Sequence, residues 1–223
     1  MGAPAVAFEV PQPPRPELEP KLGDLRFRKL MSESDWASLP RSVRRRFSRR
    51  RAAGDTTVYA GEVLEVRMSR AGWWLAQAAR LIGAPLPTAR ITHVPSVVTV
   101  TEDRTTGAQI WMHICGRRSG FPQVIFSSKR FSGPTGLEEY VGYGIGITMT
   151  VDAREGALIF RSKDYFLQLF GRRLFLPEWL CPGAMYVTHT ELPDGKFSFT
   201  LQLIHRRLGL LIREMGIFRE ITP

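Results

Sequence analysis

From Pro87 to the C-terminus the chain is a succession of short segments whose side chains alternate in character every second residue. "ITHVPSVVTV", "QIWMHICGR", "PQVIFSSKRF", "GITMTV", "ALIFRSKDY", "AMYVTHTE", "KFSFTLQLI" and "LGLLIREMGIF" follow one another, separated by "DRTTG", "GPTG", "DAREG" and "LPDGK". Period two marks strands, and Gly or Asp–Gly supplies the positive φ that tight hairpins require. Roughly eight or nine sequential antiparallel strands in an open sheet would leave long unpaired edges. Curling the sheet into a barrel removes them.

Upstream, "TTVYAGEVLEVRM" reads as one more strand, and "SRAGWWLAQAARLIGAP" as a helix over about 70–83, ended by Gly83 and Pro85. In "SESDWASLPRSVRRRFSRR", Ser32 and Asp35 are spaced as a capping-box variant, and Pro40 suits the start of a second helix. Residues 1–21 hold six prolines and predict a disordered leader. The expected plan is therefore a leader over 1–21, a helical Arg-rich segment over 22–56 and a β-rich barrel-like domain over 57–220. The fold class is α+β: N-terminal helices, then a strongly curved antiparallel sheet or β-barrel with one inserted helix.

The glycines of "EEYVGYGIGITMT" (138–150) do not open a phosphate loop. A dinucleotide fingerprint needs G-x-G-x-x-G leading into a helix, whereas Ile147 stands where the third glycine belongs and a strand follows. Either a turn interrupts at Gly142–Gly144, or the glycine face makes room for the helix or a ligand.

The net charge of +10 is concentrated: "RSVRRRFSRRR" at 41–51 carries seven arginines and no acid. The segment is read first as a solvated helix anchored by Val43 and Phe47. It is read second as a docking site, through Arg44, Arg45, Arg46, Arg49, Arg50 and Arg51, for an anionic membrane or an acidic protein surface. Nucleic acid ranks last, because aromatic interleaving is lacking. Cys115 and Cys181 make neither a disulfide framework nor a zinc signature, and His93, His113, His189 and His205 lack metal-ligand spacing. With no signal-peptide pattern and no apolar run long enough to span a bilayer, the expected setting is cytoplasmic. No cofactor motif is present, so the expectation is a protein without cofactor or metal.

Candidate chemistry rests on charged or titratable residues within apolar strand faces. Glu139 precedes the glycines and is either a cavity carboxylate or a surface acid at a strand end. In "LGLLIREMGIF", Glu214 shares a face with Ile212 and Phe218, and Arg213 shares the other with Leu211 and Met215; parity leaves open which charge points inward. His113 lies two residues from Trp111 and from Cys115 on one face, as a pocket acid or base or as an ordinary core histidine. Glu139, Glu214, His113 and Arg213 are thus the candidate proton-transfer groups. Trp111, Tyr143, Phe126, Phe199 and Trp74 are the expected aromatic lining.

Several stretches together resemble a bacterial family, domain of unknown function 4166. They are "LPRSV", "YAGEVLEV" before "LAQAARLIGAPLP", "EYVG", "LFGRRLFLPEWLCP" and the closing "GKFSFTLQLIHRRLGLLIREMGIF". The resemblance runs from about Leu39 to Glu220. Family members are often fused to a portion similar to saccharopine dehydrogenase, which residues 1–21 could not form. They commonly carry His at the position of Phe47 and an aromatic near that of Glu214. The resemblance implies the architecture and brings no established activity.

A curved barrel with a few inward polar groups implies a small-molecule site. Three functions follow as expectations. The first is binding of a hydrophobic, lipid- or polyketide-like molecule in a bacterial biosynthetic pathway. The second is a cofactor-free cyclase or isomerase acting on such a molecule by acid/base catalysis. The third is an interaction protein docking through residues 41–51.

Overall fold

The computed structural model describes residues 23–50, 55–83 and 85–221. The leader expected over 1–21 and Arg51 of the basic run lie outside the described residues. A 3-10 turn at Arg28–Leu30 precedes two short helices, α1 (Glu33–Ser38) and α2 (Arg41–Phe47). Ser32 caps α1 as its spacing predicts, its Oγ accepting the Asp35 N–H at 3.1 Å. Strand β1 (Thr57–Met68) then leads into α3 (Arg70–Ala78), which tightens into a 3-10 turn at Ala79–Ile82 and ends at Gly83, left-handed at φ +97°.

Ten strands complete the chain: β2 (Ile91–Glu102), β3 (Gln109–Cys115), β4 (Gln123–Arg130), β5 (Glu138–Gly142), β6 (Ile145–Arg154), β7 (Ala157–Leu169), β8 (Arg172–Phe175), β9 (Ala184–Glu191), β10 (Lys196–His205) and β11 (Gly209–Glu220). Sequential neighbours from β1 to β7 pair antiparallel, as do β7 with β9, β9 with β10, β10 with β11 and β11 with β1. The ring closes as a ten-stranded antiparallel barrel, with β8 a short flap on the last residues of β7. The α+β class expected from the sequence is corrected to mostly β. Helices of 6, 7 and 9 residues are too short to form a layer, and they close the ends of the barrel instead.

Because successive strands reverse direction, their connections fall alternately at two ends. The N-terminal helices close one of them. Phe27 and Phe47 meet the Phe160 ring at centroid distances of 5.9 and 5.7 Å, and Phe27 meets Phe131 edge-on at 4.9 Å. The basic run is tied down here: Arg46 pairs with Glu191 at 3.0 Å, Arg49 with Glu220, and Arg50 with Glu102 at 3.4 Å. Arg46 also lies 3.8 Å over the Phe197 ring. Arg41 and Arg45 are the exposed arginines of α2.

The other end is the lid end. Ser69 caps α3 through the Gly72 N–H at 3.0 Å, while its own N–H donates to the Leu211 carbonyl at 2.9 Å. A Cβ on Gly72 would overlap that same carbonyl, so α3 lies directly on β11. From there the 3-10 turn crosses to the β5–β6 hairpin, where Gly142 backs onto the Ile82 carbonyl. The strap from Pro85 to Arg90 follows. Gln77 Nε2 donates to the Thr88 carbonyl and Gln123 Nε2 to the Leu86 carbonyl, both at 2.8 Å; Gln123 Oε1 accepts the Thr88 N–H at 3.0 Å.

The glycine question has two answers at once. Tyr143 and Gly144, at φ +46° and +77°, form a two-residue turn between β5 and β6. Gly146 clears space for the Phe166 ring, as Gly142 does for Ile82. Among the described residues, no helix is long and apolar enough to cross a membrane.

Candidate functional site

Alternation along the strands aims a limited set of polar side chains into the barrel. On β3 the inward face carries Trp111 and His113; on β11 it carries Glu214 and Phe218; on β4 and β5 it carries Lys129 and Glu139. With His189 of β9 and Phe197 and Phe199 of β10, they line an interior cavity of about 110 Å³ beneath Pro85 and Pro87 of the strap. Its wall is mainly apolar, and the polar groups stand in two clusters.

The first cluster is Glu214 with His113. Their strands are separated by β2 and β1, so only closure of the sheet brings the Glu214 carboxyl within 3.5 Å of His113 Nδ1. The opposite ring nitrogen, Nε2, lies 2.7 Å from Ser96 Oγ and 3.3 Å from Cys115 Sγ. Ser96 Oγ also donates to the Ile114 carbonyl at 2.9 Å, which leaves its oxygen to accept the Nε2 proton. Nδ1 then turns a lone pair toward Glu214 Oε1, but across 3.5 Å no hydrogen bond is made between them. Burial pushes the Glu214 pKa up to about 7 and pulls that of His113 down to about 4. Near neutrality the imidazole is uncharged and the carboxyl is poised between its two forms.

The second cluster is a buried ion pair. Lys129 and Glu139 are direct cross-strand partners, and Lys129 Nζ lies 2.8 Å from Glu139 Oε1. The ammonium also sits 5.0 Å above the Trp111 ring. His189 stands among Phe47, Phe160, Phe197 and Phe199. Burial first, then the nearby positive charges of Arg46 and Lys129, lowers its pKa to about 3, so it is neutral.

Four buried polar atoms in this wall have no hydrogen-bond partner in the protein: Trp111 Nε1, Glu139 Oε2, His189 Nδ1 and Glu214 Oε1. A buried polar group left without a partner costs about 1–3 kcal/mol, and native proteins hold few. All four belong to residues that line the one apolar cavity.

His113, Cys115 and Glu214 bring ligand-type atoms within 4.8 Å of one another. Yet Nδ1 is the nitrogen nearest Glu214, whereas Nε2 is the one beside Cys115. Burial and the Glu214 charge hold the Cys115 thiol up at about 12, far from the thiolate a metal requires. The trio fits proton sharing better than metal binding.

The structure gathers Glu139, Glu214, His113, Trp111 and Phe199 around the cavity, whereas Phe126 takes the outward face of β4 at its edge and is 53% exposed. It places the other expected residues elsewhere. Arg213, next to Glu214, takes the outward face of β11, because β11 turns Glu214 into the barrel. Tyr143 and Trp74 are exposed at the lid end, on the β5–β6 turn and on α3. Lys129, His189 and Phe197 also line the cavity, and Ser96 bonds His113, though no sequence motif points to any of them. A strand-face signal for His189 was present, since Met185 and Val187 share its strand face; so was that for Lys129, which shares one with Ile125 and Ser127.

A comparison with curated proteins gives no match. Among solved structures, a mutant of the fluorescent protein UnaG is similar over 74% of this chain and 95% of that one, at 9% identity and a TM-score of 0.32. At that score the likeness carries no argument, and the barrel rests on the chain's own strand pairing. The sequence profile described as Domain of unknown function (DUF4166) matches residues 39–218, and with most of its length covered the chain belongs to that family.

Proposed function

We propose that this protein binds a small, mainly apolar molecule in the barrel interior, with a carbonyl or hydroxyl of the ligand meeting Glu214 and Trp111. The observation that carries the reading is that four partnerless buried polar atoms belong to residues lining one apolar cavity. At about 110 Å³ the space is close in scale to an engineered apolar cavity of ~150 Å³ that binds benzene. It takes a ring or a short branched chain. A longer lipid- or polyketide-like ligand, as a biosynthetic role would require, extends past Pro85 and Pro87 by displacing the strap.

Native mass spectrometry with a panel of ring-sized ketones and phenols tests this. Saturable one-to-one binding is expected for the wild type and should be lost in Val187→Trp, which fills the cavity from β9. Absence of saturable binding, or equal binding by both proteins, overturns the reading.

A second reading, a cofactor-free isomerase or cyclase, is favoured by Glu214 titrating at about 7. Its carboxylate would take a proton from the carbon beside a ligand carbonyl and return it at another carbon. Under that reading Glu214→Gln abolishes turnover while ligand affinity stays within a few-fold. Equal losses of turnover and affinity would assign Glu214 to binding alone.

A further inference from the structure

We propose that the lid end of the barrel docks on an anionic lipid bilayer, with aromatic turn tips entering the interface among arginines that meet the headgroups. The proposal stands apart from the ligand reading and rests on the composition of one end of the molecule. The segments joining strands there are 69–90, 116–122, 143–144, 169–183 and 206–208. Together they contain nine arginines and a single acid, Glu178, which is itself paired to Arg206 at 3.0 Å. The same segments display Trp74, Leu81, Phe121, Tyr143, Phe170 and Trp179, each between 69% and 94% exposed. At the helix-capped end the exposed large apolar side chains among the described residues are Leu25, Ile110 and Ile221, and three of the four strand connections carry an acid, Asp103, Glu155 or Asp194.

The backbone adds an independent observation. Tyr143 and Phe170 occupy the first position of two-residue turns at φ +46° and +49°, a conformation unfavourable for bulky side chains. Tyr143 and Phe170 are 78% and 94% exposed, so little packing within the protein offsets that cost. The tight turns at the opposite end place Glu155 and Asp194 at the corresponding positive φ, each before a glycine. An aromatic residue held at positive φ and projected outward points to a surface that receives it. Exposed Trp, Tyr and Phe interspersed with Arg, and almost no acid, suit the headgroup region of an anionic bilayer. Arg46, Arg49 and Arg50 of the basic run lie at the opposite end and are paired with acids there.

The test is co-sedimentation of the full chain with vesicles of phosphatidylcholine and phosphatidylglycerol in equal parts, beside vesicles of phosphatidylcholine alone. Binding is expected to the anionic vesicles and to weaken with salt. Tyr143→Asn with Phe170→Asn should weaken it roughly tenfold or more. Asn tolerates positive φ, so the unfolding midpoint of this variant should hold or rise. Arg172→Gln with Arg207→Gln should cost roughly fivefold per arginine removed, whereas Arg41→Gln with Arg45→Gln should leave binding unchanged. No anionic-vesicle binding, equal binding to both vesicle types, or sensitivity to Arg41 and Arg45 overturns the proposal. Loss through Arg172 and Arg207 without loss through the aromatics also overturns it, and assigns the surface to a polyanion such as nucleic acid.

Discussion

Glu214 controls how stability responds to pH. Its folded pKa of about 7 lies above its ordinary value of 4.5, so the fold favours the protonated carboxyl. That preference is intact below about pH 4.5 and is lost as pH rises through about 7. His113 and His189 act in the opposite direction. Their lowered pKa values mean that stability present above about pH 6.5 is lost as pH falls toward 4 and 3. Glu214→Gln should therefore be nearly neutral at pH 4 and more stable than wild type at pH 8, by up to about 3 kcal/mol; denaturant unfolding at both values checks this. At the second cluster, Lys129→Met strands a buried carboxylate and should cost about 3–5 kcal/mol, most of it recovered on adding Glu139→Leu. A small loss from the single change would mean that Glu139 reaches water. Sequence parity divided Arg213 from Glu214 correctly onto two faces. Which face was interior depended on barrel closure, which no strand reveals alone. Glu139 was legible as a candidate cavity carboxylate, but Lys129, ten residues earlier, was not legible as its partner, because their pairing requires the β4–β5 register.

Among the elements, the strands were the most legible, because turn chemistry and period two coincide from Thr57 onward. The short β8 was not anticipated: its four residues are all exposed, so no alternation marks them. The helix after β1 was legible from its apolar spacing and Gly83, whereas its place across the barrel mouth was not. Gly72 fixes that position, since any side chain there meets the Leu211 carbonyl. Gly72→Ala should lift α3 and destabilise the protein by about 1–3 kcal/mol. Hydrogen exchange should then accelerate at Trp73 to Ala76 and stay unchanged in β6 and β7. Gln123→Ala frees Leu86 and Thr88 of the strap, and should speed ligand association and dissociation together with little change in affinity. If only dissociation changed, Gln123 would belong to the binding surface and not to the entrance.

Considered whole, the barrel sorts features that are scattered in the sequence. Its alternating connections gather four arginine-bearing segments at one end and most acidic turns at the other. The +10 charge looks like a single local excess at 41–51 until the fold pairs much of that run with Glu102, Glu191 and Glu220. The same closure draws Glu214 and His113, far apart in the chain, to one mainly apolar cavity. The titration of Glu214 tests that arrangement most directly. With glutamate carboxyl carbons labelled by ¹³C and Glu214 assigned through Glu214→Gln, its resonance should titrate with a midpoint near pH 7. A midpoint near 4.5 would place the side chain in water and contradict the enclosed site.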